Sequence, residues 1–130
     1  TINNIELYDD FAHHPSAIQT TLDGLKKLIN KGRIVAVIEP RSNTMKLGTM
    51  KNYLVESVRA ADATFCFANN LSWDAHKLFK NVTNAEVYEN VDELSEKIVQ
   101  FSKSGDKIVF MSNGSFSGLQ LKVAKALNHE

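Results

Sequence analysis

The sequence predicts one α/β domain, Rossmann-like, with a mostly parallel sheet of about five strands and helices on both faces. Three observations carry this reading. Short apolar runs alternate with stretches of helical spacing along the whole chain. The most apolar run, Arg33 to Ile38, is nearly continuous and rich in β-branched residues, the mark of a strand buried on both faces. The chain has 130 residues, enough for one core and too few for two ordinary domains. Strands that alternate with helices pair in parallel, and their crossovers are right-handed.

The elements follow in order. The first strand covers about Ile5 to Asp9. Pro15 opens the next helix, because its fixed φ suits the first helical position and its missing N–H is not needed there. From Ser16 to Asn30 the apolar positions Ile18, Leu22, Leu25 and Leu28 or Ile29 fall on one helix face. Gly32 is placed to cap that helix. Pro40 stops the second strand, and a polar loop from Arg41 to Lys46 leads to a helix from about Leu47 to Ala61. Ala63 to Ala68 is the third strand. Asn69 to Thr83 has no firm period, although Trp73, Leu78 and Phe79 can line a short helix. Ala85 to Tyr88 is a short strand. Val91 to Ser102 is a helix with Leu94, Ile98 and Phe101 on one face and Asn90 as its N-cap. Lys107 to Ser112 is the last strand, Asn113 to Gly118 a turn, and Leu119 to Leu127 the final helix.

Composition excludes several function classes. Hydrophobic residues make up 43% and charged residues 23%, which fits a globular domain. Fifteen basic residues balance fifteen acidic ones, so nothing calls for nucleic acid or an anionic membrane as a partner. No apolar run approaches the ~18 residues of a membrane span, and no signal peptide is present, which leads to the expectation of a cytoplasmic protein. The one cysteine, Cys66, lies inside an apolar run and reads as a buried, unreactive thiol. The chain begins at Thr1 rather than methionine and enters a strand almost at once, so it is expected to be a domain of something longer.

Chemistry-bearing residues gather in three segments that follow strands. Tyr8 to Ile18 reads YDDFAHHPSAI, and puts two carboxylates, two imidazoles and a proline between Asp9 and Pro15. Asp10, His13 and His14 thus fall at the carboxyl end of a strand and over the amino end of a helix, where α/β sheets bind ligands and anions are favoured. An acidic strand end followed by surface histidines is the equally weighted alternative. The second segment, EPRSNTMK, offers Arg41, Ser42, Asn43, Thr44 and Lys46. A guanidinium grips carboxylates or phosphates by bidentate hydrogen bonds and an ammonium acts as a point charge, so the set suits an anionic peptide or a phosphate. A solvated loop that caps the next helix remains the alternative there. In the third, Asn113, Gly114 and Ser115 open a strand-to-helix turn whose N–H groups can hold an anion. It has two glycines but lacks the G-x-G-x-x-G pattern, so dinucleotide binding is weakly supported. There is no P-loop, nucleophile elbow or H-E-x-x-H, and His13 and His14 are adjacent with no cysteine near them, which disfavours zinc. A nucleotide-contacting domain without its own phosphate cradle reads as an accessory domain.

DDFAHHPSAI resembles the D-x-A-H-[N/H]-P motif that opens the C-terminal domain of the Mur ligases and folylpolyglutamate synthases. EPRSNTMKLG and MSNGSFSG are similar to one branch of the Mur ligases, which joins UDP-N-acetylmuramate to the tripeptide L-alanyl-γ-D-glutamyl-meso-diaminopimelate in peptidoglycan recycling. The resemblance spans essentially the whole chain. It implies a three-domain enzyme with a UDP-sugar domain, a central P-loop ATPase domain and this domain. It implies ATP and Mg2+ as cofactors, bound mainly by the central domain. ATP would phosphorylate the muramate carboxylate, and the peptide amine would attack the acyl phosphate.

Within that resemblance Asp10 matches the motif aspartate that contacts the nucleotide on its ribose side, and His13 the histidine near the phosphates. His14 stands where relatives also carry asparagine. The acceptor peptide, with its carboxylates and distal ammonium, points to Arg41 to Lys46, with Asn113, Gly114 and Ser115 on the far side. No catalytic residue and no metal ligand is assigned within the chain, and the domain alone is expected to be inactive. Family members usually carry a further strand before the motif strand, so an exposed sheet edge is expected here. Two other readings stay open: the ligase that adds L-alanine to UDP-N-acetylmuramate, and a stand-alone nucleotide-binding module. EPRSNTMK stands against the first, whose segment there is of the H-R-Y type.

Overall fold

In the computed structural model the chain is described over residues 4–10, 15–28, 32–39, 51–68, 74–112 and 118–128. Strands and helices alternate throughout these residues. They are β1 (Glu6–Asp10), α1 (Pro15–Leu28), β2 (Ile34–Ile38), α2 (Lys51–Ser57), β3 (Ala63–Phe67), α3 (Ala75–Phe79), β4 (Ala85–Tyr88), α4 (Val91–Phe101), β5 (Lys107–Met111) and α5 (Leu119–Asn128). The five strands form one sheet in the order β1-β5-β2-β3-β4, and every pair is parallel.

The pleat sorts the strand residues between two cores. Ile34, Ala36, Ile38, Cys66, Val109 and Met111 face one side, where Ile18 and Leu22 of α1, Leu54 of α2 and Ala75 and Phe79 of α3 cover them. Val35, Val37, Phe65, Phe67, Ile108 and Phe110 face the other side, beneath Leu94 and Ile98 of α4 and Leu119, Val123 and Leu127 of α5. Full burial of each large apolar side chain stabilises the fold by about 1.5–3 kcal/mol. The moves from β1 to β2, β3 and β4 all run one way across the sheet beneath the first face. The return from β4 to β5 crosses the opposite face, so all four crossovers share one hand.

Local signals explain the helix boundaries. The Asn90 side chain caps α4 by accepting from the Glu93 N–H at 3.0 Å, and Asp92 and Glu93 complement the positive helix end. Asp74 caps the single-turn α3 in the same way, accepting from the Lys77 N–H at 3.1 Å. The helix expected to reach Ala61 stops at Ser57 instead. There the Ser57 hydroxyl donates to the Leu54 carbonyl at 2.6 Å, and the chain tightens as Arg59 N–H bonds to the Glu56 carbonyl and Ala61 N–H to the Val58 carbonyl. Its expected start at Leu47 lies outside the described residues.

The amino edge of the sheet is closed by a charge clamp. The Arg33 guanidinium donates to both oxygens of the buried Asp106 carboxylate, at 2.9 and 2.7 Å, and to the Phe101 carbonyl at 2.9 Å. Asp106 also accepts from the Lys103 N–H at 2.9 Å. Beside the clamp, Gly32 at φ +92 packs so closely on the Gly105 carbonyl that a side chain there would collide with it.

Candidate functional site

Loops that follow the strands of a parallel sheet gather at its carboxyl edge, and a crevice opens where neighbouring strands send their connections to opposite faces. Inserting β5 between β1 and β2 creates that arrangement twice. The chain after β5 leads to α5 on one face, whereas the chain after β1 leads to α1 and that after β2 to α2 on the other. β1, β5 and β2 are the strands that precede the three chemistry-bearing segments, and β3 and β4 precede the blander ones. The topology therefore brings the starts of all three segments side by side.

The register aligns them at one level. Asp10 pairs with Met111, and Met111 with Ile38. One further rung on each side fixes the exits: Ser112 N–H donates to the Asp10 carbonyl at 3.2 Å, and Glu39 N–H donates to the Met111 carbonyl at 3.2 Å. Asp10 ends β1 half-buried, and the Thr21 hydroxyl on α1 donates to its Oδ2 at 3.4 Å. Pro15 begins α1, as the sequence predicts. Of the site residues proposed from sequence, Asp10 is the described one. His13, His14, Arg41, Ser42, Asn43, Thr44, Lys46, Asn113, Gly114 and Ser115 lie outside the described residues.

Two residues at this edge fall within the chemistry-bearing loops, Glu39 to Lys46 and Ser112 to Gly118, but were not named as site residues from the sequence. Glu39 and Ser112 are 2% and 3% exposed, and the Ser112 hydroxyl donates to Glu39 Oε1 at 2.7 Å. Burying a carboxylate is costly unless hydrogen bonds hold it, so a polar pair at this depth is informative. Glu39 also reaches Cys66 on β3 electrostatically. Burial pushes the Cys66 thiol up to about 12, and the nearby carboxylate adds to the push. Cys66 is fully buried, as expected of an inert thiol. The sequence did hold a signal for Glu39: it is a carboxylate that directly follows five consecutive apolar residues, Ile34 to Ile38.

The described polar groups at the ends of β1, β5 and β2 include Asp10, Glu39, Ser112 and, on α1, Thr21, which are carboxylate acceptors and neutral hydroxyls. Such groups suit ribose hydroxyls or an ammonium. Binding a phosphate or a carboxylate would draw on the cations of Arg41 to Lys46. Among the described residues, no three His, Cys, Asp or Glu side chains are placed to hold a metal ion. A separate cavity of about 400 Å³ lies at the amino ends of β3 and β4, where Val55, Val58 and Val82 meet Arg59, Thr64 and Asn84. It is on the edge opposite the three segments.

Known proteins resemble this chain along its whole length. Residues 1–114 match the family model described as "Mur ligase, glutamate ligase domain". The UDP-N-acetylmuramate–L-alanyl-γ-D-glutamyl-meso-2,6-diaminoheptandioate ligase of Haemophilus influenzae is 41% identical over an alignment of 129 residues that covers 97% of this chain and 28% of that protein. The chain thus spans little more than a quarter of that relative. The UDP-N-acetylmuramate–L-alanine ligase of Caldicellulosiruptor bescii is 32% identical over an alignment of 126 residues that covers 88% of this chain and 27% of that protein. Among solved structures, the murein peptide ligase of Psychrobacter arcticus 273-4 superposes with a TM-score of 0.88 at 41% identity, over 99% of this chain and 28% of that one. A domain from a Haemophilus ducreyi 35000HP protein, provisionally assigned as a ligase of the same tripeptide class, superposes with a TM-score of 0.83 at 39% identity, over 98% of this chain and 94% of that one.

Proposed function

The chain belongs to the Mur ligase family, as its C-terminal glutamate ligase domain, and from that premise we propose that it serves an ATP-dependent amide ligase of peptidoglycan recycling. The enzyme joins UDP-N-acetylmuramate to L-alanyl-γ-D-glutamyl-meso-diaminopimelate. Residues 1–130 form one domain of three, the others binding the UDP-sugar and carrying the P-loop ATPase. The observation that carries this reading is the 41% identity to a ligase of that specificity over 97% of the chain. The L-alanine ligase is the second reading, and identity to it falls to 32%.

The reaction divides the work among the domains. The muramate carboxylate takes the γ-phosphoryl group of ATP and releases ADP. The peptide amine then attacks the acyl carbon, and phosphate leaves. This domain's share is positioning, which makes the attack effectively unimolecular. Asp10 accepts hydrogen bonds from the ribose hydroxyls, and His13, with His14 beside it, lies near the phosphates. Arg41 grips a peptide carboxylate through its fork. Ser42, Asn43, Thr44 and Lys46 complete that side, and Asn113, Gly114 and Ser115 close the other. Mg2+ accompanies ATP and neutralises its phosphates. We assign its ligands to the central domain, and no step of this domain runs through it. The reading implies a cytoplasmic enzyme, and no helix among the described residues is long and apolar enough to cross a membrane.

Ligation assays on the full-length protein test this. UDP-N-acetylmuramate, ATP and the tripeptide should give one ADP, one phosphate and one UDP-N-acetylmuramoyl-tripeptide per turnover, with L-alanine a poor acceptor. Preference for L-alanine would transfer the chain to the second reading. The isolated domain should fold yet show no turnover; ligation by it at ~1 s⁻¹ or faster would end the accessory-domain reading.

A further inference from the structure

The buried Glu39–Ser112 pair stands where two of the three segments leave the sheet. We propose that it is a positioning pair, fixing the segment after β2 and the segment after β5 relative to each other and thereby setting affinity for the acceptor peptide. The inference rests on the ligase reading above, which puts the peptide between those segments.

Geometry is the first support. The two residues are 73 positions apart in sequence, yet the Ser112 hydroxyl donates to Glu39 Oε1 at 2.7 Å. Their main chains are already held, through Glu39 N–H to the Met111 carbonyl and Ser112 N–H to the Asp10 carbonyl. The side-chain bond therefore adds a cross-link just beyond the last rung, where the two segments begin. A bond placed there ties the residue that leaves β2 to the residue that leaves β5.

Energetics is the second support. Two apolar residues would close this edge more cheaply, as Val37 and Phe110 do two rungs below on the same face of the sheet. Replacing a buried charged or polar pair with packed apolar side chains is often neutral or stabilising. Fully satisfied polar contacts instead select one arrangement of the groups they join. Main-chain hydrogen bonds already join the strands at this level. A buried carboxylate at the level where the chemistry-bearing segments start fits a need for orientation.

Steady-state kinetics on the full-length ligase, varying tripeptide and ATP separately, test the pair. Ser112→Ala should raise the tripeptide KM by about tenfold or more, as expected for loss of a hydrogen bond to a charged group, and leave the ATP KM within roughly twofold. Ser112→Thr, which keeps the hydroxyl, should recover most of the loss. Glu39→Gln keeps an acceptor oxygen but not the charge, and should raise the tripeptide KM by a smaller factor. The double variant should be less impaired than the product of the two single effects. Ser102→Ala is the control: its hydroxyl bonds the Ile98 carbonyl at the end of α4, so it should lower Tm without moving either KM.

An unchanged tripeptide KM in Ser112→Ala overturns the inference. So does a rise in both KM values, in step with lost stability and unrescued by threonine. If Ser112→Ala does not fold, Glu39→Gln decides, and a wild-type tripeptide KM in that variant overturns the pair. A wild-type enzyme that does not ligate the tripeptide overturns the ligase reading itself, and that result is read before any variant is made.

Discussion

Replacing Arg33 with methionine should destabilise the domain without altering its site. The substitution keeps the side-chain length and apolar stem but deletes three hydrogen bonds, two to Asp106 and one to the Phe101 carbonyl. It also removes the guanidinium stacked 4.1 Å from the centre of the Phe101 ring. Asp106 is 2% exposed and would keep the Lys103 N–H as its remaining described partner. Breaking a buried pair in this way costs about 3–5 kcal/mol. The Arg33 side chain is 31% exposed, so water relieves part of that loss and the low end applies, about 3 kcal/mol. A domain of this size loses roughly 10 °C in Tm for that change. Thermal and urea unfolding of the isolated domain, followed by circular dichroism, measure it. Arg33→Lys should recover part, since it restores the charge but not the fork. Adding Asp106→Asn to Arg33→Met should also recover part, by removing the stranded charge. Because the clamp sits on the edge opposite the site, both KM values of the full-length enzyme should stay at wild type below the new Tm. A Tm loss under roughly 2 °C, or a selective change in either KM, would refute this assignment of the clamp to structure and of the opposite edge to function.

Three further outcomes are expected. Cys66 should resist thiol reagents at pH 8 in the folded chain and react on unfolding. Its folded-state thiol stays protonated to about pH 12 while the unfolded thiol ionises near ~8.5, so the unfolded state binds fewer protons above that pH and stability falls as pH rises, by up to about 1.4 kcal/mol per unit. Cys66→Ala should flatten that slope between roughly pH 9 and 12, which urea titrations at several pH values would show. Asp10→Ala and His13→Ala in the full-length ligase should impair ATP use with the fold intact; wild-type ATP kinetics in both would return them to surface residues. Arg41→Ala should raise the tripeptide KM about ten- to a hundredfold, the loss of one charged hydrogen-bonding partner, and more than it raises the ATP KM. Arg41→Lys should regain only part, and an unchanged tripeptide KM in Arg41→Ala would remove that segment from the acceptor site.

The periodicities in the sequence anticipate the strands and longer helices because each must bury one stripe or both faces. The run Ile34 to Ile38 is buried at every position, and Leu94 and Ile98 of α4 reach the core as their spacing predicts. The short helix Ala75–Phe79 has too few residues to show a period, and its main local signal is the Asp74 cap. The early end of α2 depends on Ser57 turning its hydroxyl back onto the Leu54 carbonyl, a competition that helical spacing does not register. The site shows the same division. Strand-end position marked Asp10, and the chemistry of the three segments was legible as local composition. That β5 lies between β1 and β2, which sets the strand ends preceding those segments side by side, is a property of sheet order. Glu39 and Ser112 meet for that reason alone, and either residue read in its own strand looks like an ordinary polar terminus.

A crystal structure of the full-length ligase with a non-hydrolysable ATP analogue and the tripeptide would show where both ligands sit on this domain. Both ligands should lie over the carboxyl ends of β1, β5 and β2, with the nucleotide ribose within hydrogen-bonding distance of Asp10 and a peptide carboxylate on Arg41. Ligands seated only beyond β3 and β4, or in the cavity by Arg59 and Asn84 on the opposite edge, would contradict that placement.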